Sequence, residues 1–145
     1  QLAPMIEEIF TDLAPLAEKR GVTLTAEGDG VMTGSDALIY RLVFNLAENA
    51  IKYNHSGGSV RVSVAQEPKK LLLRVSDTGC GIPKEYRRSI FQPFFRVDKS
   101  RSREYGGAGL GLSLVWEIAN LHGGSVWVEE SSEKGTVIAV ELAAQ

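Results

Sequence analysis

The sequence predicts an α/β fold, a two-layer α/β sandwich whose mixed, mostly antiparallel sheet is covered on one face by helices. Two observations carry that expectation. Segments with the two-residue alternation of half-buried strands come mainly as hairpins, at 60–64 with 71–75 and at 125–129 with 136–142. Segments with helical spacing of apolar residues lie between them, at 3–19, 36–54 and 109–122. A doubly wound parallel sheet would instead alternate single strands with single helices.

In the first helix Met5, Ile6, Ile9, Phe10, Leu13 and Leu16 recur at helical spacing. Pro4 suits its first turn, Pro15 is a candidate bend and Gly21 ends it. Residues 22–26 alternate as a strand, and EGDG then turns into a short strand at 31–33. The stretch 41–54, RLVFNLAENAIKYN, organises the rest. Ile39, Leu42, Val43, Leu46, Ala47, Ala50 and Ile51 form one broad apolar arc. Arg41, Asn45, Glu48, Asn49 and Lys52 form the other face, and Ser35 or Asp36 can cap the start. Two amides, a carboxylate and a cation within two turns suit a metal-bound polyphosphate; the competing reading is a face that simply meets water. In the hairpin that follows, Val60, Val62 and Val64 alternate, EPKK turns, and Leu71, Leu73 and Val75 alternate again. Asp77 keeps the parity of Leu73 and Val75, so it points toward the core at the strand's end. Residues 84–91 read as one or two helical turns, and 92–108, rich in charge and glycine, as a mobile loop. In 109–122, Leu110, Leu114, Val115, Ile118 and Ala119 face inward, Ser113, Glu117 and Asn120 outward, with Gly123 at C′. The last two strands pair through a turn containing Gly135.

Composition bounds the function. At 145 residues, 43% hydrophobic and 23% charged, the chain is one domain with a real core. A net charge of −2 supplies no global basic field for nucleic acid or an anionic membrane. The one cysteine, Cys80, excludes an internal disulfide framework and suits a reducing compartment. No apolar run approaches the roughly 20 residues of a membrane span. The chain starts at Gln1 rather than Met, which reads as a piece cut from a larger protein.

Two glycine motifs carry chemistry. Asp77-Thr78-Gly79-Cys80-Gly81-Ile82 sets a carboxylate before glycines at alternate positions. A core-directed carboxylate needs a donor, and the exocyclic amine of adenine is one; guanine presents a carbonyl there and would be rejected. The plainer alternative is an Asx-turn at a strand end. Gly106-Gly107-Ala108-Gly109-Leu110-Gly111-Leu112 opens a helix, whose free N–H groups and dipole attract phosphate. No strand precedes it and no Gly-Lys-Ser/Thr occurs, so it is neither a Rossmann fingerprint nor a P-loop. A flexible hinge is the alternative.

The order NLAENAIKYN, DTGCGI, FQPFFRVD, GGAGLGLS and KGT resembles the N, G1, F, G2 and G3 boxes of the catalytic ATP-binding domain of bacterial two-component sensor histidine kinases. That domain shares a superfamily with gyrase, the heat-shock ninety chaperone and the MutL repair protein. The resemblance covers nearly the whole chain and implies the Bergerat fold, with ATP and Mg²⁺ held between the first-box helix and a lid at 97–107. It implies that Asn49 ligates the metal, with Asn45 one turn earlier on the same face. Lys52 matches the phosphate-contacting cation and Tyr53 the aromatic beside the nucleotide. Asp77 matches the adenine reader, with Gly79, Gly81 and Ile82 at the base. Arg96 matches a cation near the terminal phosphate. Gly107, Gly109, Leu110, Gly111 and Leu112 match the phosphate cradle, and Thr136 a hydroxyl that reaches adenine through water. The catalytic set it implies is Asn45, Asn49, Lys52 and Arg96.

The resemblance also frames what is missing. Gyrase-type ATPases resemble one another in placing a Glu, the base that activates water, where Asn45 stands here, an absence that suits a kinase; whether Glu48, one turn along, replaces it in part is left open by the sequence. Histidine kinases transfer the γ-phosphoryl group to a His on a separate dimerisation hairpin and pass it to a response regulator. His55 and His122 are the only histidines, and neither lies in such a hairpin pattern. The expected protein is therefore the kinase's ATP-binding domain, cytoplasmic, without its acceptor hairpin, and part of a membrane-anchored sensor. A gyrase-like clamp and a degenerate docking domain are the rivals.

Overall fold

The computed structural model of the protein describes residues 2–32, 34–79, 81, 89–91 and 111–143. Its helices are α1 (Ala3–Arg20), α2 (Asp36–Lys52) and α3 (Gly111–Leu121), with a 3-10 turn at Ser89–Phe91. Its strands are β1 (Thr23–Gly28), β2 (Ser59–Gln66), β3 (Lys70–Asp77), β4 (Ser125–Ser132) and β5 (Gly135–Ala143). They form one sheet in the order β1-β2-β3-β5-β4. β1 runs parallel to β2 and the other pairs are antiparallel, so the sheet is mixed, as the hairpins predict.

Alternation along the strands decides which face is covered. Val60, Val62 and Val64 of β2, Leu71, Leu73 and Val75 of β3, and Ile138, Val140 and Leu142 of β5 are buried on one side. The apolar arc of α2, from Ile39 to Ile51, lies on them and is likewise buried. Ile6, Ile9 and Leu13 of α1 and Val115, Ile118 and Ala119 of α3 complete the core. Each large side chain so buried contributes about 1.5–3 kcal/mol of transfer free energy. The opposite face is polar and carries cross-strand ion pairs, Arg61–Glu27 at 2.8 Å and Arg74–Glu129 at 2.9 Å.

Caps and clasps fix the helices. α1 runs unbroken through Pro15, and its N-cap Leu2 has no side-chain acceptor. Asp29 supplies one from beyond β1, accepting from the N–H groups of Leu2 (3.2 Å), Ala3 (2.8 Å) and Gly30 (2.7 Å). These bonds, Ala3's foremost, hold its carboxyl below the usual carboxylate value. The short strand expected at 31–33 does not form at its described residues, 31 and 32. The reason is that the backbone there is already engaged: Gly30 C=O accepts from Leu2 N–H at 3.0 Å and Val31 N–H donates to Gln66 Oε1 at 2.6 Å. Ser35 is the N-cap of α2, accepting from Leu38 N–H at 3.3 Å, and Arg20 Nη1 donates to Lys52 C=O at its far end, 3.3 Å.

α3 spans Gly111–Leu121. The ring of His122 just beyond it donates through Nδ1 to Ile118 C=O (2.8 Å) and accepts the Ser35 N–H at Nε2 (3.3 Å). The end of α3 is thereby clasped to the start of α2, so the two packed helices run in opposite directions. Ser113, expected outward, is buried at 8% exposure; helical periodicity marks the side toward the sheet and α2 and is blind to other neighbours. Gly135 does not sit within the last turn but opens β5. Of the helical turns expected at 84–91 only 89–91 are described, and the loop expected at 92–108 lies outside the described residues.

Candidate functional site

One row of residues crosses the helix-covered face at the end of the sheet. In register, Val60 of β2 pairs with Asp77 of β3, Asp77 with Thr136 of β5, and Thr136 with Ser131 of β4. The apolar alternation of β3 thus ends in a carboxylate at the layer boundary, where the sequence places it. Asp77 Oδ1 accepts from Gly79 N–H at 2.8 Å, and the carboxylate also accepts from Thr136 N–H. Burial raises its pKa above the usual carboxylate value; the two backbone bonds pull the other way and do not cancel it. Thr136 is buried, and its hydroxyl lies 2.8 Å from that of Ser131.

Two glycines let the chain close around this row. Gly135 has φ +144°, and a Cβ on it would lie 2.0 Å from Asp77 C=O. Gly81 has φ +78°, and a Cβ there would lie 2.1 Å from Ser132 C=O. Only glycine fits at either position, so the Asp77–Gly81 turn and the β4–β5 hairpin pack backbone against backbone.

The polar face of α2 forms the next wall. Asn45, Glu48, Asn49 and Lys52 are half-buried and Arg41 is exposed, so the sequence face is a lined surface rather than a fully solvated one. Lys52 Nζ lies 3.8 Å from Glu48 Oε1. Among the described residues no hydrogen bond engages the Asn49 side chain, which leaves a hard amide oxygen available. The helix end is tied to the aspartate turn through Asn54. Its Oδ1 accepts from Thr78 O–H (3.2 Å) and its Nδ2 donates to Ser59 C=O (2.9 Å), while Ser59 N–H donates to Thr78 Oγ1 (2.9 Å). Tyr53, between Lys52 and Asn54, is 44% exposed.

The third wall follows from the His122 clasp. α3 packs on α2 from that clasp, and Gly111 and half-buried Leu112 are its first described residues. The structure brings Tyr53, Asp77, Gly79, Gly81 and Thr136 together at one end of the sheet, with Asn45, Asn49 and Lys52 along the polar face of the α2 helix that ends there and Gly111 and Leu112 on α3, which packs on α2. Ile82, Arg96, Gly107, Gly109 and Leu110 lie outside the described residues, as does Cys80. Among the described residues no cluster of His, Cys, Asp and Glu can hold a metal by itself. Sequence reading missed Ser131 and the Asn54–Thr78 tie. A Thr in the DTG turn and an Asn ending the helix are the only traces of the tie in the sequence, and nothing flags Ser131.

Residues 34–145 match the family described as histidine kinase-, DNA gyrase B- and HSP90-like ATPases. The chain belongs to that family. Among its relatives, the sensor histidine kinase RppB of Synechocystis sp. is 33% identical over 144 residues, 97% of this chain and 32% of RppB. The sensor histidine kinase WalK of Bacillus subtilis is 42% identical over 106 residues, 72% of this chain and 17% of WalK. The chain thus spans a third or less of the length of these kinases. The solved catalytic domain of histidine kinase ThkA superposes with a TM-score of 0.83 at 26% identity, covering 99% of this chain and 92% of that one. ThkA is also solved in complex with the response regulator protein TrrA. The mixed sheet with helices on one face is thus the histidine kinase catalytic-domain fold, and within the family this chain stands on the sensor-kinase side. No helix of the described residues is long and apolar enough to cross a membrane.

Proposed function

We propose that this chain binds Mg-ATP at the end of the sheet between α2, the Asp77–Gly81 turn and the start of α3. There it donates the γ-phosphoryl group to a histidine on a separate helical hairpin. It acts as the single ATP-binding domain of a longer two-component kinase, on the cytoplasmic side of a membrane-anchored sensor, upstream of a response regulator. The observation that carries this is Asp77: a half-buried carboxylate held by two backbone N–H groups, with burial opposing its charge. A nucleobase amine would satisfy the remaining lone pairs, and a carbonyl in its place would not.

The rest of the wall suits the polyphosphate. Asn49 and Asn45 offer amides, Lys52 a cation and the start of α3 free N–H groups. The Asn49 oxygen fits Mg²⁺, a hard cation that keeps several waters and needs few protein ligands beside phosphate oxygens. When bound, Mg²⁺ would neutralise charge developing on the β- and γ-phosphates. Family resemblance adds Arg96, Ile82 and the glycines at 107 and 109, with Leu110, to this set. In the transfer, an imidazole nitrogen of the acceptor forms a bond to γ-phosphorus as the bond to the bridging β–γ oxygen breaks. ADP leaves with that electron pair, and the imidazole proton goes to a general base on the hairpin. This chain's part is positioning and charge stabilisation, which is most of what phosphoryl transfer requires.

Calorimetry tests the reading. Asp77→Asn loses a charge-assisted bond and should weaken ATP binding by roughly 1.5–3 kcal/mol. Asn49→Ala should abolish transfer to an added hairpin domain while leaving adenosine binding intact. Equal ATP affinity in the wild type and Asp77→Asn would remove the adenine-reading role.

A further inference from the structure

The β4–β5 hairpin carries a β-bulge beside the base pocket. Pairing is regular from Ser125↔Glu141 to Val128↔Ile138, then shifts by one residue, so that Glu130 meets Val137 and Ser131 meets Thr136. Glu129 is the inserted residue, and it projects to the open face, where it holds Arg74 at 2.9 Å. With unbroken pairing Glu130, not Ser131, would stand opposite Thr136 on the helix-covered face. Two carboxylates, Glu130 and Asp77, would then flank one threonine in a half-buried row, each raising the cost of ionising the other. The bulge replaces that carboxylate with a hydroxyl. Bulges re-aim side chains beside functional sites in this way.

We propose that Ser131 is a positioning residue for base recognition: its hydroxyl donates to Thr136 Oγ1 and so commits the Thr136 proton to an acceptor nitrogen on the edge of the bound purine. The inference rests on the base-pocket reading above. Thr136 has one hydroxyl proton and is 5% exposed, so its hydrogen-bonding options are few. If it donated to Ser131 it would present only lone pairs to the base. With Ser131 as donor, Thr136 donates outward, directly or through one water. The adenine ring nitrogen next to the exocyclic amine is an acceptor and matches; guanine carries a proton there and does not. Asp77 and Thr136 are neighbours in one row, with Thr136 N–H on the Asp77 carboxylate. They therefore read adjacent positions of the same edge: Asp77 the amine, Thr136 the nitrogen beside it. Gly81 and Gly135 hold the hairpin against the aspartate turn closely enough to keep the three side chains in line.

The probe is a pair of nucleotides, ADP and 1-deaza-ADP, which share the amine and differ only in replacing the acceptor nitrogen with C–H. Their affinities are measured on this 145-residue chain. The wild type should prefer ADP by about two- to tenfold, the value of one neutral hydrogen bond. Ser131→Ala should bring that ratio close to one, and Ser131→Thr, which keeps a hydroxyl, should restore it. Thr136→Val should collapse the ratio as well, and adding Ser131→Ala to it should change nothing further. Asp77→Asn should weaken both ligands together and leave the ratio as in wild type. A Ser131→Ala protein that keeps the wild-type ratio, or loses both affinities equally, overturns the inference alone. So does a wild type that does not distinguish the two ligands. An Asp77→Asn protein that binds ADP as well as wild type does overturns the base-pocket reading, and the inference with it.

Discussion

With the proposed role, Asp77 would be a single side chain that trades stability for recognition. Its carboxylate closes an apolar strand face, and burial pushes its pKa above the usual carboxylate range despite bonds from Gly79 and Thr136. The fold therefore opposes its ionisation. The stability associated with the protonated form is full below the ordinary carboxylate value, about 4, and is lost as pH rises through the higher folded value. Asparagine keeps the acceptor oxygen for Gly79 and cannot ionise. The ligand-free wild type should thus lose stability relative to Asp77→Asn on going from acid to neutral pH, even though the variant is expected to bind ATP more weakly. Thermal melts of both proteins at pH 4.5 and 7 check this: the advantage of the asparagine variant should grow with pH. A constant difference would mean that burial does not oppose the charge.

At the scale of elements, the site depends on how α2 is joined to β3. The link is Asn54, which accepts from Thr78 O–H and His55 N–H and donates to Ser59 C=O. Replacing Asn54 by Ala strips partners from part-buried polar groups at the junction of helix and strand. We expect a loss of about 1–3 kcal/mol in unfolding free energy and a weaker affinity for ATP, because α2 and the aspartate turn no longer hold one spacing. Denaturant titration and calorimetry on the same variant measure both; an unchanged affinity would show that the tie serves stability alone. The elements themselves were largely legible in the sequence. α2 announces itself through seven apolar positions on one arc, all buried, and Ser35 caps it as its residue type predicts. The strand parity that aims Asp77 inward is a local property and survives folding. What the sequence hid is long-range. Asp29 caps a helix 26 residues away, and that engagement cancels the strand propensity of Val31. The β4 bulge lies in Glu129-Glu130-Ser131-Ser132, where no alternation shows which residue is the extra one, so Ser131 was not legible as a site residue.

In the proposed function the whole molecule provides one half of a reaction. On the proposed reading its site would supply a base reader, amides, a cation and a helix start, and it offers no acceptor among its described histidines. His55 sits in an exposed turn, and His122 is committed through both ring nitrogens to Ile118 and Ser35. Nor do the described residues of the α2 face place a glutamate at position 45 to activate water. Asn45 stands where the gyrase-like ATPases resemble one another in having a glutamate, and an amide is not appreciably basic near neutral pH. Glu48 is the carboxylate on that face, but it lies 3.8 Å from the Lys52 ammonium one turn along. That ion pair favours holding the carboxylate in place over delivering it to a water beside the γ-phosphate. An unpositioned water is a poor in-line nucleophile, and phosphoryl transfer depends chiefly on positioning. The isolated chain should therefore bind ATP and consume it negligibly, with no label on His55 or His122. Adding a cognate helical hairpin that bears the acceptor histidine should produce acid-labile phosphoprotein on the hairpin. Phosphate release and protein label, measured with and without the hairpin, decide the matter. Multiple-turnover hydrolysis by the chain alone, abolished in Glu48→Gln, would give Glu48 the water-activating role and move this protein to the gyrase-like branch of its family.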